Sequence, residues 1–484
     1  MEFLLKGFFG IFMVWKNPFL FIMLYRKTIP KVTIFLMLGL LATFSYASET
    51  KSPVTKTPQP SLLLITIDTM RADRLPFYGY KRNTAPFLGK LAERGIVFTN
   101  AYSTSSWTVP AVTSLVTGVY PYSHGVTHGF IKKKHIYKQE IVPQTLPNLP
   151  EQLRTLGYRT YGITANYHLT KELGFGRGFD RYTCVGFCAA EKVNQSFLKW
   201  KDEIESQNGP VFIWLHYFDP HIPYIGRQPW LKQYQNDETE IESGRINSLI
   251  RPVLMRQEIK NKGQRILTLA KSHYDSEINY CDNQIKKLFQ EFPSLENYVL
   301  IFTADHGEEF REHGRLGHAR NLYNETVRIP LFIRLPETVS TTSSKEVASL
   351  VDVAPTLLAI AGGKAPQSWQ GRALINQRGQ ISPQEGRHVL VQLDNGIIPP
   401  LSALIGKNWK LIIHDKTQDK ELYNLLDDPA ERNNLTTLQP EKTRQQSEIL
   451  QKLVLSLTPA PKTGETKPLQ KDKEEMLRSL GYVQ

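Results

Sequence analysis

Four short, nearly continuous apolar runs constrain this chain more than anything else in it: residues 62–67, 212–215, 298–302 and 330–334. A strand apolar at every position, not only at alternate ones, has both faces covered. Helical patterns lie between the runs, over 84–93, 109–116, 146–156 and 272–289. Strands alternating with helices predict a parallel α/β sheet with helices on both sides. Beyond about residue 365 the pieces shorten. Residues 388–393, 402–405 and 409–413 read as a small antiparallel sheet. The expected fold is therefore α/β: a large mixed, mostly parallel sheet flanked by helices, with a C-terminal antiparallel subdomain. The boundaries read as 61–365 for the main domain, 366–457 for the second and 458–484 for a tail.

The 484 residues are 41% hydrophobic and 22% charged, which excludes wholesale disorder, collagen-like and coiled-coil chains. A net charge of +13 without any nucleic-acid motif favours an anionic partner, namely a glycan, a lipid headgroup or a small ester, and no nucleic acid. Scattered solvated Lys and Arg would give the same total. Residues 23–47 carry basic residues, an apolar run and a small-residue ending, as a signal peptide does. The rival is a retained anchor, so 1–47 is a signal peptide or membrane anchor and 48–60 a linker. Both readings place the bulk of the chain in the periplasm or outside the cell, with inner-membrane anchoring and membrane association in the second. Cys184, Cys188 and Cys281 are too few for a disulfide framework. Cys281 reads as a buried thiol.

The segments just past the buried runs carry the chemistry. The first run ends in Asp68-Thr69, the second in His216-Tyr217-Phe218-Asp219-Pro220-His221, and the third in Thr303-Ala304-Asp305-His306-Gly307-Glu308. Ligands bind beyond the carboxyl ends of strands in open α/β sheets. Three strands thus deliver carboxylates and imidazoles to one rim, a donor set that suits Zn²⁺, Mn²⁺ or Ca²⁺. Thr108 lies where a loop turns into a helix, with Pro110 in the first turn. It is either an ordinary N-cap or a hydroxyl nucleophile beside the positive end of a helix.

These residues match a family. The chain resembles the sulfatase branch of the alkaline phosphatase superfamily from about residue 61 to 435. The resemblance is carried by Ile65-Thr66-Ile67-Asp68-Thr69, Asp305-His306-Gly307-Glu308 with Glu312-His313-Gly314, Asp352-Val353-Ala354-Pro355-Thr356, and Glu421-Leu422-Tyr423-Asn424-Leu425. The closing Leu480-Gly481-Tyr482-Val483 also looks like this family. The resemblance implies an alkaline-phosphatase-like fold and one divalent metal held by Asp68, Asp305 and His306, with Thr108 both at the nucleophile position and against the metal. It implies that His221 contacts the anionic group, and His318 stands near where many sulfatases carry a substrate-contacting lysine. His216 and Asp219 are as compatible with the core as with contact. His124 and His128 lie after the nucleophile helix, where they could line the cleft but read better as surface residues, and His313 reads as structural or as a residue just outside the site.

The chain also departs from the pattern. Sulfatases use a cysteine or serine converted to formylglycine, followed by a proline and an arginine. Here Thr108, Pro110, Ala111 and Val112 stand instead, and threonine would oxidise to a ketone. Threonine resembles the extracytoplasmic phosphotransferases of the superfamily. The expected function is a metal-dependent hydrolase or transferase of phosphate or sulfate esters, with Thr108 as nucleophile and Thr108, His221 and His318 as catalytic residues. The alternatives are a sulfuric ester hydrolase independent of formylglycine, and a non-catalytic binding protein on a decayed sulfatase scaffold.

Overall fold

The computed structural model describes residues 59–133, 136–235, 262–336, 342–460, 466–469 and 474–475. The signal-peptide or anchor reading of 1–47 and the closing 480–483 motif lie outside them. Among the described residues, no helix is long and apolar enough to cross a membrane.

In chain order the strands of the main sheet are β1 (Leu62–Ile67), β2 (Ile96–Tyr102), β3 (Arg159–Thr164), β4 (Arg181–Cys184), β5 (Val211–Tyr217), β6 (Val299–Ala304), β7 (Leu331–Arg334) and β8 (Thr342–Ser349). Across the sheet they run β8-β2-β7-β6-β1-β5-β3-β4. The principal helices are α1 (Pro86–Ala92), α2 (Thr108–Thr117), α3 (Leu149–Thr155), α4 (Ala190–Leu198), α5 (Lys262–Glu291), α6 (Val353–Ile360) and α7 (Pro440–Ser456).

β1 lies in the middle, with all six residues buried, parallel to β5 on one side and β6 on the other. All four runs expected as strands are strands. The sheet is mixed because β7 runs antiparallel to both β6 and β2. Only about 25 residues separate β6 from β7, and they are spent on the site loop instead of a crossover helix, so the chain returns antiparallel. The apolar-run criterion passes over β2, β3, β4 and β8. β4 and β8 are edge strands with exposed positions, so they need no continuous apolar sequence. α3 starts at Leu149, later than its periodicity suggests, because the Asn148 side chain caps it by accepting from Glu151 N at 2.9 Å. α5 starts earlier, at Lys262, and carries Leu267, Leu269 and Ala270 into the core.

The C-terminal sheet is an antiparallel meander of β9 (Val389–Leu393), β10 (Leu401–Ile405), β11 (Trp409–His414) and β12 (Lys420–Asn424). Its two faces follow the strand period of two. Leu390, Leu404, Leu411 and Leu422 pack with Leu450 of α7. Val389, Val391, Ala403, Ile405 and Ile412 pack with Trp107, Val109, Ala319 and Leu322. The small sheet is thereby a floor under two segments that matter for chemistry, the start of α2 and the loop around residue 318.

Candidate active site

Strand register builds the site. Ile67 pairs across to Tyr217 and to Ala304, so the residues after all three strands emerge at one level. Asp68 follows β1, and Asp305 and His306 follow β6. One ligand atom from each of these three lies within 4.8 Å of the others, and all three residues are fully buried. Thr69 then turns the chain away with φ 54°, a left-handed conformation that non-glycine residues seldom hold. Asp305 Oδ1 accepts from Thr69 N at 3.1 Å, and the Tyr274 hydroxyl donates to the Thr69 carbonyl at 2.7 Å. These bonds fix the turn.

His306 Nδ1 lies 2.9 Å from the Gly307 carbonyl, which can only accept, so Nδ1 carries the hydrogen. Its Nε2 faces Asp305 Oδ2 at 3.5 Å, Asp68 Oδ1 at 3.7 Å and Thr108 Oγ1 at 3.1 Å. Asp68 Oδ1 and Asp305 Oδ2 are buried acceptors with no hydrogen-bond donor among the described residues. Two carboxylate oxygens without donors and an imidazole nitrogen converging in a dry space fit one divalent cation, because such groups are otherwise costly to bury. Burial and the neighbouring Asp68 charge push the Asp305 carboxyl up to about 6. Burial would also raise Asp68, but the imidazoles of His221, His216 and His306 outweigh it and hold that carboxyl well below its ordinary range.

Thr108 is the first residue of α2, and its hydroxyl turns to His306 instead of capping the helix. The loop before it is pinned on both sides. The Ser103 hydroxyl donates to the carbonyls of Ser105 and Asp305, and the Ser106 hydroxyl donates to the Asn321 carbonyl at 2.7 Å. His318 joins the same cluster, its ring 4.6 Å from that of His306 and 4.9 Å from that of His221. Its Nδ1 is 2.9 Å from Glu308 Oε1. Burial pushes His318 down to about 3 and His221 down to about 4, and lifts Glu308 up to about 7. The His221 ring stacks on Phe218 at 4.4 Å.

All the site residues expected from sequence, Asp68, Thr108, His221, Asp305, His306 and His318, thus meet in one cluster. His216 sits behind Asp68, its Nε2 3.7 Å from Oδ2 and its Nδ1 2.8 Å from Thr66 Oγ1. Asp219 turns away to accept from Ala190 N and Arg227. His124 is a correction. It is buried beneath α2 instead of at the surface, between Pro110, Ser114 and Val126. His128 is half-exposed beside Glu140 and Asp394. His313 is structural as expected, stacked on Tyr323 and bonded to Glu325 at 2.6 Å. Sequence reasoning passed over Asn166, which donates to Asp68 Oδ2 at 2.7 Å, and over His168, and it gave no role to Glu308 within the motif that contains it. Asn166 follows the unrecognised β3. Once that strand is placed, its carboxyl-end loop is the signal.

A family model described as Sulfatase matches residues 60–363, and one described as N-sulphoglucosamine sulphohydrolase, C-terminal, matches residues 311–458. The chain belongs to the sulfatase family. It is an ester-hydrolysing enzyme of that family, and the main sheet with its small antiparallel partner is the family's fold. An ulvan-active sulfatase of Formosa agariphila is 27% identical over 361 residues, 68% of this chain and 56% of that protein. The match therefore spans little more than half of that relative's length. An N-acetylgalactosamine-6-O-sulfatase of Bacteroides thetaiotaomicron is 22% identical over 81% of this chain and 93% of its own length. Among solved structures, one in complex with its substrate D-glucosamine-2-N,6-O-disulfate superposes with TM-score 0.66 at 19% identity, over 82% of this chain and 97% of that one. The phosphonate monoester hydrolase of Agrobacterium radiobacter superposes with TM-score 0.64 at 17% identity, over 85% of this chain and all of that one.

Proposed function

We propose that this sulfatase-family enzyme hydrolyses phosphate or sulfate esters of an anionic substrate without formylglycine, using the Thr108 hydroxyl as nucleophile. The observation that carries the reading is the position of Thr108 Oγ1, 3.1 Å from His306 Nε2, at the start of a ten-residue helix. Asp68, Asp305, His306 and Thr108 would hold a single divalent cation. Such an ion supplies Lewis acidity and lowers the pKa of a bound hydroxyl.

The chain's own groups account for the rest. Thr108 Oγ gives up its proton and forms a bond to phosphorus or sulfur as the bond to the leaving oxygen breaks; the leaving oxygen takes up a proton and departs as the alcohol, giving an ester of threonine. The amino end of α2 and His221 offset charge on the peripheral oxygens. His318, oriented through Nδ1 by Glu308, takes a proton from water at its other nitrogen. That water attacks the phosphorus or sulfur as the bond to Thr108 Oγ breaks, the inorganic ion is released, and the proton taken by His318 returns to Oγ to restore the hydroxyl. Threonine has a single oxygen on Cβ, so its ester can be released only by attack at the central atom. Phosphoryl esters accept that attack more readily than sulfuryl esters, which favours phosphate. The sulfated substrates named for the relatives favour sulfate and a glycan carrier. Glycan, lipid headgroup and small-molecule carriers all present the same anion, and transfer to an alcohol would use the same intermediate. The signal-like residues 23–47 support action in the periplasm or outside the cell.

The test is metal analysis of the purified protein, followed by assay of paired aryl phosphate and aryl sulfate esters with Zn²⁺, Mn²⁺ and Ca²⁺. One bound ion per chain and metal-dependent turnover are expected. A metal-free protein silent on every ester would instead support the non-catalytic scaffold.

A further inference from the structure

A second cleft lies at the seam between the edge strand β8 of the main sheet, the hairpin joining β10 to β11, and α7. It encloses about 410 Å³, within the range of small-ligand sites. Lys345, Lys407, Lys442, His388, Trp409 and Gln446 line it, and none of them belongs to the catalytic cluster.

Three features of the cleft point to a ligand. First, its cations are left over. Of the other charged lining groups, Arg387 is bound to Asp352, and Glu346 accepts from Gln384 N at 3.0 Å. That leaves three lysines facing two carboxylates, Glu346 and Glu385, a surplus of one positive charge. Second, Lys442 stands in the first turn of α7, two residues after Pro440, where the helix dipole disfavours a positive charge. Its ammonium donates to Gln445 Oε1 at 2.8 Å and lies 5.5 Å from the Trp409 ring centroid, so the cation is held at the cleft and does not wander in solvent. Third, Gln446 is 4% exposed, yet its Oε1 has no hydrogen-bond partner among the described residues. A buried acceptor without a donor is a cost that a ligand hydroxyl would remove. β8 is the terminal strand of the main sheet, and its pairing with β2 shifts register between Ser344 and Val347, across Lys345 and Glu346.

The geometry points to a non-catalytic binding site for an anionic saccharide in this cleft. The lysines meet its sulfate or carboxylate groups, the Trp409 indole meets a sugar ring, and Gln446 Oε1 accepts from a sugar hydroxyl. The phosphate or sulfate of a small ester would satisfy the lysines alone. It would leave the buried Gln446 acceptor without a donor. The inference does not depend on the identity of the nucleophile, because binding is read without turnover.

The experiment titrates the full chain with a sulfated dextran oligosaccharide, following tryptophan fluorescence and calorimetric heat, with neutral dextran and inorganic sulfate as comparison arms. The double variant Lys345→Gln/Lys442→Gln should bind the sulfated oligosaccharide at least tenfold more weakly. Its hydrolysis of a small aryl ester should be unchanged, and its thermal midpoint equal to or above that of the parent. Gln446→Leu should weaken binding without touching ester hydrolysis, and Thr108→Ala should bind as the parent does. Unchanged binding in the double variant would overturn the assignment. So would binding lost in Thr108→Ala, which would put the saccharide in the catalytic cluster. Equal affinity for inorganic sulfate and for the oligosaccharide would reduce the cleft to an anion site and overturn the saccharide.

Discussion

At the scale of single residues, His124 shows how far burial alone can set a property. Its Nδ1 accepts from Val126 N at 3.1 Å, so protonation there would set two hydrogens against each other. Burial pushes it down to about 3 from an ordinary 6.5. A group depressed in the folded state contributes stability that is full above 6.5 and is lost as the pH falls towards 3. His124 alone should therefore account for a loss of about 1.4 kcal/mol per pH unit below 6.5, or about 2 kcal/mol by pH 5. His124→Gln should show a flatter profile in urea denaturation between pH 7.5 and 5. Parallel profiles would remove His124 as the cause. Which residues are chemical was largely legible, because aspartate and histidine after an apolar run have few reasons to be there. Where a histidine points was not legible. Nothing in Pro121-Tyr122-Ser123-His124 states that this short turn folds beneath α2.

At the scale of elements, the loop after β6 carries the site and is shaped by one glycine. A Cβ on Gly307 would stand 2.1 Å from the Glu325 carbonyl oxygen, and Gly307 N already donates to the Thr326 carbonyl at 2.8 Å. Gly307→Ala must push apart two segments of backbone, at a cost of about 1–3 kcal/mol by analogy with overpacked cores. Asp305 and His306 lie on one of those segments. Activity should fall more than stability does, as measured by kcat/KM beside the urea midpoint. A variant with parental activity would show that the loop tolerates the shift. The strands bordering this loop were legible because burial on both faces forces apolar sequence. β4 and β8 were not, because an edge needs only alternate apolar positions. The antiparallel course of β7 was hidden too, since composition does not record direction.

At the scale of the whole molecule, the small sheet is fastened to the site loop by a buried ion pair. Lys410 of β11 lies 2.7 Å from Glu431 Oε1, and both side chains are fully buried. Asn324 N donates to the other carboxylate oxygen at 2.6 Å, and Lys410 Nζ donates to Asn324 Oδ1 at 3.2 Å. Removing one partner strands a buried charge. Lys410→Met should cost about 3–5 kcal/mol, and Lys410→Met/Glu431→Leu should recover much of that loss. Equal instability of the single and double variants in denaturant titrations would mean the charges are not what fastens the sheet. That a small antiparallel sheet follows the main domain was readable from the shorter apolar pieces beyond residue 365. That this sheet supports Trp107 and Ala319 was not, because the contact joins segments far apart in sequence.

Everything proposed for the chemistry depends on Thr108 being the group that attacks. Kinetics of Thr108→Ala and Thr108→Ser on the best ester found, with metal content measured for each, test it most directly. Alanine should lose at least about 10³-fold in kcat, serine should retain part of it, and the parent peptide should carry an unoxidised threonine by mass spectrometry. Near-parental turnover by a metal-loaded Thr108→Ala would contradict that role.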